Sequence, residues 1–313
     1  MYIDTHAHLN FKGFKDDFEA VYKASLDANV GIVINVGSNY QTSLEAVRKV
    51  HEGDLYAAVG VHPIHLHEDI TELCLMDGKE YKVTTKKEIF DYNKYLELAK
   101  NTGVVAIGET GLDYFHLKND CHAELVSASK RSRNEFGMTT EKIKQTQKDV
   151  FKQHIKLAKE MDLPMILHCR GSEKNPFDAY DEMIEIIEIQ NEKCKMQNNN
   201  LKLKNKPRGV IHCFVGNREQ AKKFIDMGFY IGVNGIVTFP KSYELQDIVR
   251  DLPLDKIVLE TDCPFLAPDP YRGKRNEPKY IPIIAQKIAE LKNISLKEVE
   301  EQTTKNAQKL FKF

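Results

Sequence analysis

The chain has 313 residues, 42% of them hydrophobic, and a formal net charge of −1 at pH 7. That length suits one large α/β barrel or two ordinary domains. The near-neutral charge argues against a broad basic face for nucleic acid, and no stretch approaches the roughly 20 apolar residues of a membrane span.

The first apolar run begins almost at Met1, so no signal peptide is expected, and the six cysteines are scattered without a CxxC pair. Both features lead us to expect a cytoplasmic protein. β-like runs are expected near 1–9, 31–37, 55–61, 104–108, 164–168, 209–214, 229–234 and 256–262. Helical spacing fills several intervals: Phe14 to Ala28, Thr42 to His51 and Thr140 to Met161. Eight strands alternating with helices imply a parallel sheet. Closing it into a single (β/α)8 TIM barrel over 1–313 brings the first run beside the last, which an open sheet does not. Pro278 to Leu291 and Ser295 to Phe311 read as closing helices, Ser295 with Glu298 forming a capping box.

Three connections are longer than a barrel needs: 64–89, 116–140 and 190–206. The first reads as an irregular polar loop that places His65 and His67 at the surface. The second, with its peptide Cys121 to Asn134, is similar to short in-frame insertions encoded by dispersed repeats in bacterial genes. The third is rich in Asn and Lys and reads as a loop.

Six residues of metal-ligand type stand at the ends of five runs. They are His6 and His8, Glu109, His168, His212 and Asp262. Parallel strands would deliver them to one edge, the C-terminal face on which barrel enzymes build their sites. His6-x-His8 sets two imidazoles on one face of a strand, where they can chelate one ion. Glu109 has two oxygens and can bridge two ions. A buried Asp262 needs a cation or strong donors, and Glu260, of the same parity, would lie one layer deeper. Such a set suits two divalent ions, Mg, Mn or Zn, and hydrolysis by metal-activated water.

His62, in Gly60-Val-His-Pro63, is the best additional site residue, placed to touch substrate, orient water or hold a transient third ion. Arg170, Arg272, Lys274 and Arg275 would supply cationic donors around the rim. Cys169, Cys213 and Cys263 each follow a ligand, so the pleat should turn them towards the helices as packing residues.

Taken in order, Asp4-Thr-His-Ala-His-Leu9, Gly60-Val-His-Pro63, Gly108-Glu-Thr-Gly-Leu-Asp113, Leu167-His-Cys-Arg170, His212-Cys-Phe214 and Glu260-Thr-Asp-Cys-Pro-Phe265 resemble the TatD-type metal-dependent deoxyribonucleases. The resemblance implies a TIM barrel of the metallo-dependent hydrolase type. It implies one ion on His6, His8, Glu109 and Asp262, and a second on Glu109, His168 and His212. It also implies DNA as the substrate. We expect an exonuclease acting on single strands or frayed ends, with Glu109, Asp262 and His62 in catalytic roles. No membrane or protein partner is expected. The same metal pair can attack a carbonyl, so an amidohydrolase-like enzyme or an aminoacyl-tRNA deacylase is the competing reading. A nucleic-acid binding module with structural metals fits least, because the closed Cys-rich pattern of structural zinc is missing.

Overall fold

The computed structural model describes residues 1–51, 53–67, 69–77, 79–117, 139–197 and 206–313. In chain order it forms β1 (Tyr2–Ala7), α1 (Phe18–Asp27), β2 (Val30–Val36), α2 (Tyr40–Arg48), β3 (Leu55–Val59), β4 (Ile70–Met76), β5 (Lys79–Thr85) and α3 (Tyr92–Ala99). There follow β6 (Val104–Asp113), α4 (Thr140–Met161), β7 (Met165–Arg170), α5 (Asp178–Gln197), β8 (Gly209–Ile211) and α6 (Arg218–Asp226). The chain ends with β9 (Tyr230–Val233), α7 (Tyr243–Asp251), β10 (Ile257–Leu259), α8 (Ile281–Lys292) and α9 (Leu296–Phe311).

Eight strands pair in parallel in the order β1-β2-β3-β6-β7-β8-β9-β10. The seam between first and last is nearly closed. Ala7 bridges Cys263, His8 N donates to Cys263 O at 2.9 Å, and Asp262 N donates to His6 O at 2.8 Å. Helices cover the outside, so β1 and β6 are buried along their whole length, as strands of a covered parallel sheet must be.

Pleat parity divides the core in two. Ile166, Val210 and Val258 share a parity with His168, His212 and Glu260, and they cluster with Ile34, Ala58 and Ala106 inside the barrel. Ala307, Leu310 and Phe311 of α9 join that cluster, closing it at the end opposite the site. The larger cluster lies between the strands and the helices. Gly108 permits close packing of β6 on β7: a Cβ there would stand 2.6 Å from Ile166 O.

Several expected boundaries move. β6 runs on to Asp113, whereas β8 stops at Ile211 and β10 at Leu259, so His212 and Asp262 lie just beyond their ladders. α4 spans Thr140–Met161, as its spacing indicated, and Ser295 accepts from Glu298 N at the start of α9. The connection 64–89 is not irregular throughout. β4 and β5 form an antiparallel hairpin, Ile70 opposite Thr85 and Met76 opposite Lys79. Asp77-Gly78 is a favoured hairpin dipeptide, and Asp77 takes the positive φ (52°) such a turn demands. α5 continues to Gln197, so the expected loop at 190–206 begins as helix, and 198–205 lies outside the described residues. Most of the expected 116–140 insertion, residues 118–138, lies outside them too.

Candidate metal centre

All six expected ligand residues converge at the C-terminal ends of the strands, and Glu109 stands at the centre. Its two oxygens face different groups. Oε2 lies 3.5 Å from His6 Nε2 and 3.7 Å from His8 Nε2. Oε1 lies 2.9 Å from His168 Nδ1, 3.5 Å from His62 Nε2 and 3.8 Å from His212 Nε2. Asp262 Oδ1 closes the other side, 3.7 Å from His6 Nε2, 3.5 Å from His8 Nε2 and 3.7 Å from His212 Nε2. Donor atoms about 3 to 4 Å apart match the spacing around a cation with bonds of roughly 2.0–2.2 Å.

The protonation pattern also fits a cation. His8 Nδ1 donates to Val36 O at 2.8 Å, which leaves the Nε2 lone pair directed into the site. His6 Nε2 approaches that same atom at 3.1 Å, and His6 Nδ1 has no hydrogen-bond partner among the described residues. The His6 and His212 rings stack with centroids 3.5 Å apart. Two buried imidazoles cannot both be protonated at that distance without strong repulsion. Burial, together with the neighbouring His212, lowers the pKa of His6. Burial also opposes charge on His168 and His212. For His168 the contacts with Asp113 and Glu109 prevail and push the pKa to about 9. For His212 the charges of Glu260 and Asp262 prevail and push it to about 10. Glu109 stays well below the ordinary carboxylate range, because the surrounding imidazoles outweigh its burial. Four imidazoles and two carboxylates of this kind can hold divalent ions, and binding them is coupled to release of protons from the histidines.

His62 follows β3 and caps the short 3-10 turn Pro63–Leu66, its Nδ1 accepting from Ile64 N at 3.1 Å. Burial and the neighbouring His168 push its pKa well below 6.5. It is therefore neutral, with its proton on Nε2 and directed towards Glu109.

Glu260 is fully buried, as its parity suggested. Its Oε1 accepts from Cys213 N at 2.5 Å and lies 3.1 Å from His212 Nδ1, although that approach lacks the alignment of a hydrogen bond.

Other expectations need correction. His65 and His67 are buried, not at the surface. The hairpin base folds over His65, whose Nδ1 lies 2.7 Å from Lys86 O. Cys169 and Cys263 are buried packing residues, but Cys213 is partly exposed and takes φ 47°. The pleat argument fails there because β8 has already ended, and the Cys213 sulfur lies within 4.8 Å of ligand atoms of His212 and Asp262. Arg275 is already engaged: its guanidinium binds Asp17 at 2.6 Å, Glu277 at 3.1 Å and Gly13 O at 2.7 Å. Arg170, Arg272 and Lys274 are exposed, with Arg170 over the Phe115 ring and Arg272 over Phe239.

Sequence reasoning missed two carboxylates. Asp113, at the end of β6, holds His168 Nε2 at 3.0 Å and accepts from Phe115 N and His116 N. Gln147 of α4 clasps the Asp113 backbone, accepting from its N at 3.0 Å and donating to its O at 2.9 Å. Asp4, inside the barrel, accepts from Thr261 N, Thr261 Oγ1 and His6 N, so it ties the two segments that carry His6 and Asp262. The available signals were an aspartate four residues after Glu109 and another two before His6.

A family model described as TatD related DNase matches residues 3–312. The chain is 34% identical over 313 residues to an uncharacterized metal-dependent hydrolase, YabD, of Bacillus subtilis, covering 100% of this chain and 99% of that protein. It is 28% identical over 314 residues to the 3'-5' ssDNA/RNA exonuclease TatD of Klebsiella pneumoniae, with 98% and 97% covered. Among solved structures it resembles YJJV, a TatD homolog from Escherichia coli K12, at 25% identity and a TM-score of 0.72, over 100% of this chain and 98% of that one.

Proposed function

The chain belongs to the TatD-related DNase family and is a metal-dependent hydrolase, and from that premise we propose that it cleaves DNA phosphodiester bonds as an exonuclease on single strands or frayed ends. The observation that carries the reading is the division of the Glu109 oxygens between two groups of imidazoles. It supports one ion held by His6, His8, Glu109 and Asp262 and a second by Glu109, His168 and His212. Bound there, Mg, Mn or Zn ions would acidify water and neutralise charge on a phosphoryl group.

The chain's own residues do the rest. Asp262 has the more exposed of the two ligand carboxylates and is held below its ordinary pKa because the charge of His212 and a hydrogen bond from His8 outweigh its burial; ionised, it stands ready to take the proton of the attacking water. His62 directs its Nε2–H into the site and donates to a phosphoryl oxygen as negative charge builds there. Arg170, Arg272 and Lys274 hold neighbouring phosphates of the strand, whereas Arg275 braces its own loop.

The DNA relation of the Klebsiella protein supports the substrate class. The test is turnover of metal-reconstituted protein on end-labelled single-stranded DNA, RNA, an amide and an aminoacyl ester. Stepwise shortening of DNA is expected. Intact DNA alongside hydrolysis of the amide or of the ester would replace this reading with the amidohydrolase or the deacylase one.

A further inference from the structure

The β4–β5 hairpin leaves the barrel between β3 and α3, yet its tip reaches the loop after β10. Asp77 N donates to Gly273 O at 2.9 Å, and Arg275 N donates to Asp77 Oδ1 at 3.4 Å. Both connections lie on the face that carries the metal-ligand cluster. In the ring of strands β2 and β1 stand between β3 and β10, so the hairpin spans the arc above them. Seven residues per strand reach roughly 23 Å, enough to cross three interstrand steps of about 4.8 Å each.

Both ends of the span are tied down. At the base, Asp69 accepts from Lys87 N at 2.9 Å and pairs with Lys86 at 3.0 Å, and Glu88 N donates to His65 O at 2.7 Å. The Glu88 carboxylate then binds Tyr95 OH and Tyr40 N, fixing the base to α3 and α2. At the far end, Arg275 carries the receiving loop against Asp17 and Gly13.

We infer that this hairpin is a fixed strap across one side of the barrel mouth that stops a polymer from running through the site, so that a nucleic-acid strand enters only by its end. The inference rests on the nuclease reading above and deepens it. Away from the strap Arg170 of β7 stands over Phe115, and beside the strap's tip Arg272, in the loop after β10, stands over Phe239; both pairs present guanidinium planes and aromatic rings suited to an unpaired strand. A strand lying along those groups with a phosphodiester at Glu109 meets the strap beyond it. On this inference the strap admits a terminal nucleotide and stops a continuing chain.

The hairpin can be excised cleanly, because Ile70 and Thr85 face each other across the ladder. Replacing residues 71–84 with Gly-Gly keeps the base and every residue of the metal cluster. A second variant, Asp77→Pro, removes the N–H bonded to Gly273 and cannot take the positive φ, so it frees the tip alone. Each Mn-loaded protein is assayed on linear single-stranded DNA, circular single-stranded DNA and bis(p-nitrophenyl) phosphate. The parent should cleave the linear strand and spare the circle. The excised variant should retain hydrolysis of the small diester and raise the circular-to-linear ratio of kcat/KM by about tenfold or more, with Asp77→Pro in between. An unchanged ratio in both variants overturns the strap. So does loss of small-diester hydrolysis on excision, which would make the hairpin part of the site. If all three proteins cleave the small diester but neither DNA, the nuclease reading itself falls and takes this inference with it.

Discussion

Gly232 of β9 offers the sharpest test of how the centre is supported. A Cβ at that position would stand 2.4 Å from Glu260 Oε2 and 2.7 Å from its Cδ. That is about 1 Å inside ordinary van der Waals contact, so Gly232→Ala must push the carboxylate aside. Glu260 has little room to yield, since it is fully buried and its Oε1 holds Cys213 N. Moving it removes the charge beside His212 Nδ1, which keeps that ring aimed at Glu109 and Asp262. Loss of such a support behind a metal-binding imidazole typically costs 10–100-fold in affinity or activity, or about 1.4–2.7 kcal/mol. The overpacking itself should cost about 1–3 kcal/mol of stability. Calorimetric titration of the apo-protein with Mn²⁺ or Zn²⁺ reads the first effect and urea unfolding the second. Glu260→Gln separates them, because it removes the charge without adding volume. If Gly232→Ala is destabilised yet binds metal within about twofold of the parent, Glu260 does not support His212 and the reasoning fails.

Glu109→Gln should leave the fold intact but abolish turnover and reduce bound metal, because an amide lacks two anionic oxygens; near-normal hydrolysis at saturating Mn would remove Glu109 from its bridging place. Chelation should lower the melting temperature and re-addition of metal restore it, since an ion that binds only the folded site stabilises it by mass action; identical melting curves would mean that no ion binds there. His154 is buried in α4, with Nδ1 donating to Val150 O and Nε2 accepting from Val61 N, and burial lowers its pKa from 6.5 to about 4. The unfolded chain therefore takes the proton first, so this contribution is complete above about pH 6.5 and fades as pH falls towards 4. At pH 5 the loss should be about 2 kcal/mol, absent from His154→Gln when urea unfolding of both proteins is compared at pH 7.5 and 5. Equal pH dependence in the two would contradict a neutral buried His154.

The sequence by itself determined the alternation of strand and helix, the order of the eight barrel strands and the residues brought to their C-terminal ends. These features are local. Period-2 and period-3.6 patterns are written in neighbouring residues, and a parallel barrel sends every strand end to the same face. The span of α4 and the cap at Ser295 were legible for the same reason. Tertiary structure decided what depends on contacts between distant segments. Which Glu109 oxygen faces which histidine is set by strand stagger and by the tie from Asp4 to Thr261, separated by 257 positions. Arg275 reads as a free rim cation until Asp17 arrives beside it from the other end of the chain. His65 reads as surface until the hairpin base folds over it. Cys213 departs from the pleat because its strand ends three residues earlier than its apolar run suggests, and parity holds only while the ladder continues. The hairpin's path over β2 and β1 likewise follows from where its tip finds Gly273, a contact between residues far apart in the chain that no local pattern encodes.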